Sequence, residues 1–169
     1  MKKLVISLLI LVSILAPSAC GSASDTDDSP NDAPGELNIG DTWTVDGEWS
    51  LTITSVEETD ERNKRIDYTP EAVYIVTYTY TNFGYSDPDG IMKGLYFNIT
   101  NEVIDSAGNA GINYPVEDGY NPQVLVDKGD SYIAQACIGV NTPGDFKIIV
   151  TMKDSSENLQ TATFNIKTN

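Results

Sequence analysis

The chain has 169 residues and a formal net charge of −15, with 25 acidic residues, 10 basic residues and no histidine. This acidic balance argues against nucleic acid and against anionic lipid headgroups as partners. Without histidine the usual general base for a nucleophilic serine or cysteine is missing. The length is enough for one domain with a core of its own.

Residues 1–19 predict a lipoprotein signal peptide. Two lysines precede an apolar run over residues 4–16, and small residues follow it up to Cys20. This order is typical of export signals, and the run is shorter than the roughly 20 apolar residues of a spanning helix. A diacylglycerol on Cys20 would anchor the mature protein to the extracellular face of the cell membrane. Lipoprotein signals call for leucine where this chain has Pro17, so cleavage after Ala23 and secretion without an anchor is the alternative.

Residues 20–36 predict the lipidated cysteine followed by a disordered acidic spacer. The stretch is rich in Ser, Asp and Pro and has no hydrophobic period, so it is expected to stay solvated and to hold the domain off the membrane. Calcium binding by its aspartates is an alternative, but no turn-forming scaffold fixes Asp25, Asp27, Asp28 or Asp32.

Residues 37–169 predict an all-β domain, because their apolar residues recur with a period of two. Apolar and polar residues alternate over 49–53, after an Asp-Gly turn at 46–47. Over 73–82 both faces are β-branched or aromatic, which is typical of a strand in the middle of a sheet.

Four more strands are predicted further along the chain. They span 95–105, 131–140, 146–153 and 160–167, and a polar turn at 154–158 joins the last two into a hairpin. The core candidates of this hairpin are Phe146, Ile148, Val150, Phe164 and Ile166. About seven strands and no helical stripe predict an antiparallel β-sandwich of immunoglobulin-like type.

Five short structural motifs follow one another along this domain. They are a Gly-Asp turn, a strand, a long strand that ends in Asn, a second turn and a Gly-Asp pair before a late strand, at residues 39–42, 51–57, 74–82, 104–108 and 126–131. In this order they resemble the uncharacterised immunoglobulin-like domains of Gram-positive surface lipoproteins, which are similar in shape to small secreted mycobacterial antigens. The resemblance covers residues 37 to about 167. It implies a fold and a cell-surface location, and it implies no activity and no catalytic residue.

The role expected for the second cysteine, Cys137, depends on whether Cys20 is lipidated. If Cys20 is lipidated, Cys137 has no partner and is expected to be a buried apolar residue in its strand. If Cys20 is not lipidated, a Cys20–Cys137 disulfide is conceivable in the oxidising exterior, although the flexible spacer disfavours it.

No motif predicts catalysis. A glycan-cleaving enzyme would need two carboxylates roughly 5–10 Å apart across a cleft, and the sequence contains no nucleophile motif or phosphate loop. Asp87 and Asp89 resemble half of a calcium loop, but residues 91–95 add no ligand and a Pro-Asp-Gly turn explains the pair. The chain is therefore predicted to be non-enzymatic, with no cofactor and no metal. Asn98 begins a glycosylation-like triplet inside the predicted strand 95–105.

Loop tyrosines are the candidate ligand-binding residues. Tyr114 and Tyr120 lie in the long loop 109–123, while Tyr68 and Tyr85 lie in other loops. Tyrosine gives binding area at low entropic cost, whereas rings that cap the open ends of the sandwich are the alternative. The sequence thus predicts a non-catalytic binding or accessory module for an unknown surface protein or glycan. A calcium-stabilised secreted adhesin and a glycan-active enzyme are the alternatives.

Overall fold

The computed structural model describes residues 35–116 and 120–168. The predicted signal peptide, Cys20 and the spacer aspartates lie outside the described residues. Nine β-strands and no helix occur in these two ranges. Neither range therefore contains a helix long and apolar enough to cross a membrane. The strands are β1 (Leu37–Asn38), β2 (Thr42–Val45), β3 (Trp49–Thr59), β4 (Ala72–Asn82), β5 (Glu102–Asp105), β6 (Ile112–Asn113), β7 (Ser131–Val140), β8 (Phe146–Lys153) and β9 (Leu159–Ile166).

The strands form two sheets that face each other across a common core. One sheet has the order β1-β9-β8-β5 and the other the order β2-β3-β4-β7-β6. The immunoglobulin-like β-sandwich predicted from the sequence is therefore confirmed. It differs from the prediction in having nine strands instead of about seven. It also differs in one pairing, because β1 runs parallel to β9 while the other neighbours are antiparallel.

The core is built on β4, which lies in the middle of its sheet as predicted, between β3 and β7. Alternate residues of β4, Tyr74, Val76, Tyr78 and Tyr80, are at most 2% exposed. The ring of Tyr74 lies 5.1 Å from that of Phe146 on the opposite sheet. All five core candidates of the β8–β9 hairpin are buried in the same cluster. Each such side chain contributes about 1.5–3 kcal/mol by its removal from water.

The prediction of one continuous strand over 95–105 is wrong. Ladder pairing is confined to β5, and upstream of it Leu95 forms only an isolated bridge with Val126. Leu95, Phe97 and Ile99 are nevertheless buried while their neighbours are less so, because this extended segment packs on the core. Apolar residues at every second position indicate an extended chain packed on a core, whether or not a neighbouring strand is present. The triplet that begins at Asn98 consequently leads into a turn.

A smaller apolar cluster lies on the outer side of β7. Cys137 is 1% exposed there, together with Val73, Tyr114 and Val116, as expected for a buried strand cysteine. The segment after β6 covers this edge of β7, since the Tyr114 N–H donates to the Cys137 carbonyl at 2.9 Å.

Candidate functional site

A cleft of about 400 Å³ lies between the loop that follows β4 and one edge of β8. Its volume is in the range of ordinary ligand sites. The lining mixes apolar side chains with amides and charges. The apolar members include Tyr85, Met92, Phe97, Val150 and Met152, and the polar members are Asp87, Asp89, Asn98, Asn101, Thr151 and Lys153, with Tyr96 and Pro88 beside them.

Asp87 gives the loop its shape. One carboxylate oxygen accepts the N–H groups of Ile91 at 2.8 Å and Met92 at 2.7 Å, and the other accepts the N–H of Asp89 at 3.3 Å. Gly90 closes the turn with a φ of 66° and donates its N–H to the Asp87 carbonyl at 3.0 Å. The hydrogen bond from the Met92 N–H is the main cause that holds the pKa of Asp87 below its usual range. Burial opposes it, and the bonds from Ile91 and Asp89 add to the lowering. Residues 87–90, Asp-Pro-Asp-Gly, thus form a turn, as the sequence indicated.

Asp89 faces a lysine of the opposite wall. Its Oδ1 lies 4.0 Å from the Nζ of Lys153 on β8, and the two side chains are 62% and 46% exposed. An exposed pair at this distance is weak, so both groups are available to a ligand that brings its own charge. In the described ranges there is no cluster of three or more His, Cys, Asp and Glu side chains that could hold a metal ion.

Tyr85 is the one predicted tyrosine that lines the cleft, and it is only 7% exposed. Its ring lies 5.5 Å from that of Trp49 in an edge-to-face contact, and its N–H donates to the Asn82 Oδ1 at 2.9 Å. Burial, followed by the nearby carboxylates of Asp87, Glu48 and Asp89, raises the pKa of Tyr85 to about 12. Tyr85 is therefore a neutral wall of the cleft at physiological pH.

One edge of β8 is open where it borders the cleft. β9 pairs with β8 along its whole length, from Phe146 to Lys153, whereas β5 pairs only with Phe146–Ile149. No backbone–backbone hydrogen bond joins residues 150–153 to any other described residue on the side of β5. In an antiparallel strand the N–H and C=O of alternate residues point to the same side, so two of these four residues direct both groups toward the cleft. An open strand edge is a template for pairing with another chain.

The other predicted tyrosines lie elsewhere and do not form one exposed aromatic surface. Tyr114 is 0% exposed, and its hydroxyl accepts the N–H of Asn63 at 3.1 Å, so it offers no binding area. Tyr120 is partly buried against the same cluster as Tyr114. Tyr68 is 40% exposed and donates its hydroxyl to the side chain of Asn141. A ligand-binding role for Tyr68 and Tyr120 stays a prediction.

Sequence reasoning missed the residues of the second wall, Phe97, Asn98, Met152 and Lys153. The sequence predicts them as ordinary strand residues, since nothing in a single sequence shows that β5 stops short of the end of β8. Two smaller cavities of 270 Å³ each lie away from the cleft. One is lined by residues of β5, β8 and β9 around Asp105 and Asp145, and the other by residues 124–132.

Comparison with known proteins gives a likeness of fold alone. No protein-family model matches the sequence, and no curated protein matches it. The crystal structure of ycdA, a provisionally assigned lipoprotein from Bacillus subtilis strain 168, superposes with a TM-score of 0.50 at 14% identity, over 72% of this chain and 37% of that one. The present chain thus corresponds to little more than a third of ycdA. The yjhA protein of Bacillus subtilis superposes with a TM-score of 0.49 at 14% identity, over 76% of this chain and 98% of that one.

Proposed function

We propose that the protein is an exported surface lipoprotein whose non-catalytic domain binds a ligand in the cleft beside β8. The observation that carries the proposal is the cleft itself, where an open strand edge, an apolar wall and exposed charges meet in one place. The fold likeness to a provisionally assigned lipoprotein agrees with the surface location.

The location rests on the leader and on Cys20. Two acyl chains on one cysteine hold a protein stably at a membrane, whereas one chain binds marginally. The spacer of residues 21–36 can reach at most about 58 Å when extended, so the domain would stay close to the bilayer. Radiolabelled palmitate should appear on the wild-type protein and not on Cys20→Ser, which should be released into the medium. Equal labelling of the two proteins, or of neither, would contradict the anchor.

The chemistry of the cleft supports binding rather than catalysis. Asp87 is engaged by three backbone N–H groups and has a lowered pKa, which makes it a poor general acid. Asp89 and Lys153 are exposed to solvent, where neither is desolvated as catalytic groups usually are. A glycan-cleaving site would need one carboxyl group with a raised pKa.

Site-specific photo-crosslinking tests whether the cleft is the binding site. A photoreactive residue at Met92, in the full chain in its native envelope, should give a discrete adduct. The same residue at Ile133, which is 59% exposed on β7 and does not line the cleft, is the control and should give none. A bulky Thr151→Trp substitution in the cleft wall should suppress the Met92 adduct. No adduct at Met92, or identical adducts at both positions, would overturn the proposal.

A further inference from the structure

The open edge of β8 and the walls of the cleft together specify the kind of ligand. Resting on the proposed function, we infer that the ligand is an extended peptide segment with a basic side chain, which pairs with residues 150–153 of β8 as an added strand. The geometry, the side-chain lining and the charge of the cleft each contribute to this assignment.

The cleft lies where the backbone of β8 and the segment that precedes β5 diverge. β5 lies against β8 up to Ile149, and the chain that precedes β5 then leaves β8 and runs toward Val126, with which Leu95 is bridged. The leaving segment is held in place, since the Tyr78 hydroxyl donates to the Phe97 carbonyl at 3.2 Å and the Asn98 side chain donates to that of Asn101 at 2.9 Å. An added strand would continue the place of β5 in the sheet, at the strand spacing of ~4.8 Å from β8.

Backbone groups are the reason to expect a peptide. Two of residues 150–153 present an N–H and a C=O side by side toward the cleft, a pattern that an extended main chain complements at every second residue. In strand addition the main chain supplies affinity, and pockets for alternate side chains supply specificity. A glycan has no such alternation of donors and acceptors in register with a strand.

The charge and the apolar lining select the side chains. Asp87 and Asp89 oppose a single lysine, Lys153, in a protein whose net charge is −15. A lysine or arginine of the peptide would therefore be attracted to the carboxylates and would compete for the weak Asp89–Lys153 contact. Met152 and Met92 offer apolar contact to a neighbouring residue of the peptide. Successive side chains of a strand point to opposite faces, so apolar and basic residues should alternate.

β2 offers a comparison within the same molecule. It also forms the edge of a sheet, but none of the three cavities described above is lined by a β2 residue. Main-chain groups alone would give both edges the same partners, whereas the inference assigns the peptide to β8 only.

Peptide binding with a backbone-methylation scan tests the inference. The probe is a capped peptide of alternating valine and lysine, about seven residues long so that it covers the open residues 150–153 of β8 with a margin at its ends. Methylation of alternate amide nitrogens should weaken its binding to the full chain about tenfold, while methylation of the intervening ones should have a much smaller effect. Bound peptide should also slow amide hydrogen exchange in 150–153 and leave that of β2 unchanged.

The variant Asp89→Asn should weaken binding several-fold, and less so at high salt, whereas Glu58→Gln on an exposed position of β3 is the matched control and should not. Methylation effects without alternation, protection of β2 instead of β8, equal binding of a valine–glutamate peptide, or pairing of β8 with a second copy of the chain would each overturn the inference. If the Met92 crosslink forms but the peptide does not bind, the peptide is refuted and the binding function stands. If neither is seen, both are refuted.

Discussion

The side-chain amide of Asn82 donates to the carbonyl of Val126 at 3.0 Å, although 44 positions separate them in the sequence. The Asn82 Oδ1 accepts the N–H of Tyr85, and the Asn82 main chain bonds to Gly129 and Asp130. Val126 in turn exchanges two backbone bonds of 2.9 Å with Leu95. One buried asparagine at the end of β4 therefore connects the loop that follows β4, through Tyr85, to the segment that precedes β5, through Val126 and Leu95.

Asn82→Ala should lower the free energy of unfolding by about 1–3 kcal/mol, because the buried N–H of Tyr85 loses its acceptor while the Val126 carbonyl keeps the N–H of Leu95. Chemical denaturation measures the change. Asn38→Ala, which removes an exposed amide bond to Asp41, is the matched control and should cost below about 1 kcal/mol. Equal effects of the two substitutions would contradict the role assigned to Asn82.

Tyr114 should behave as a core residue. Tyr114→Ala should cost about 3–5 kcal/mol of stability through the cavity that it leaves. Tyr114→Phe should cost about 1–3 kcal/mol, because the N–H of Asn63 loses its acceptor. Tyr68→Ala, at a 40% exposed side chain, should cost much less. If Tyr114→Ala retained wild-type stability, the buried position of this ring would be refuted.

The sequence predicted the layers of the fold better than it predicted the site. The two apolar faces over 73–82 placed that strand in the middle of a sheet, and alternation over 146–153 indicated the inward residues of the last hairpin, because buried positions are mostly apolar. The same rule misplaced Leu95, Phe97 and Ile99 in a strand, since burial against the core gives the same pattern without a ladder. It also presented Tyr114 as a candidate binding residue, because the long-range packing that buries its ring beside Val73 and Cys137 leaves no local signal. The cleft depends on where β5 and β8 diverge, which is a property of tertiary structure.

Alkaline titration should reveal the burial of Tyr85. Its pKa is raised from an ordinary value of 10 to about 12, chiefly by burial and then by the carboxylates of Asp87, Glu48 and Asp89. Below pH 10 tyrosine is protonated in both the folded and the unfolded chain. Between pH 10 and about 12 only the unfolded chain releases the proton, so stability should fall as the pH rises through this window. Tyrosinate absorbance and denaturation at several pH values measure this, and Tyr85→Phe should flatten the decline. An unchanged slope in that variant would contradict the assignment.

At acid pH the stability should instead rise with pH, because of Asp105. Burial acts to raise its pKa, but hydrogen bonds from Asn109, Thr142 and the Ala107 N–H outweigh it and lower the pKa below 3.8. The stability that Asp105 contributes is present above pH 3.8 and is lost as the pH falls through the lowered value. Asp105→Asn should be less stable at neutral pH and should lose less on acidification, whereas Glu58→Gln on exposed β3 should follow the wild type. Parallel pH profiles of wild type and Asp105→Asn would show that these bonds do not favour the charged carboxylate.

The thiol count of the mature protein tests the burial of Cys137 and shows whether an unlipidated Cys20 is retained. Cys137 is buried, burial raises the pKa of its thiol, and only the thiolate reacts with alkylating reagents. It should therefore resist modification in the folded protein and react fully after unfolding. If Cys20 carries diacylglycerol, the unfolded mature protein should show a single reactive thiol, and Cys137→Ala should show none. Two thiols would indicate an exported product that keeps Cys20 without lipid, and no thiol without reductant but two with it would indicate the Cys20–Cys137 disulfide. Cleavage after Ala23 would remove Cys20 and also leave one thiol, so palmitate labelling distinguishes that product from the lipoprotein. Rapid modification of Cys137 in the folded chain would instead contradict its burial in the cluster outside β7.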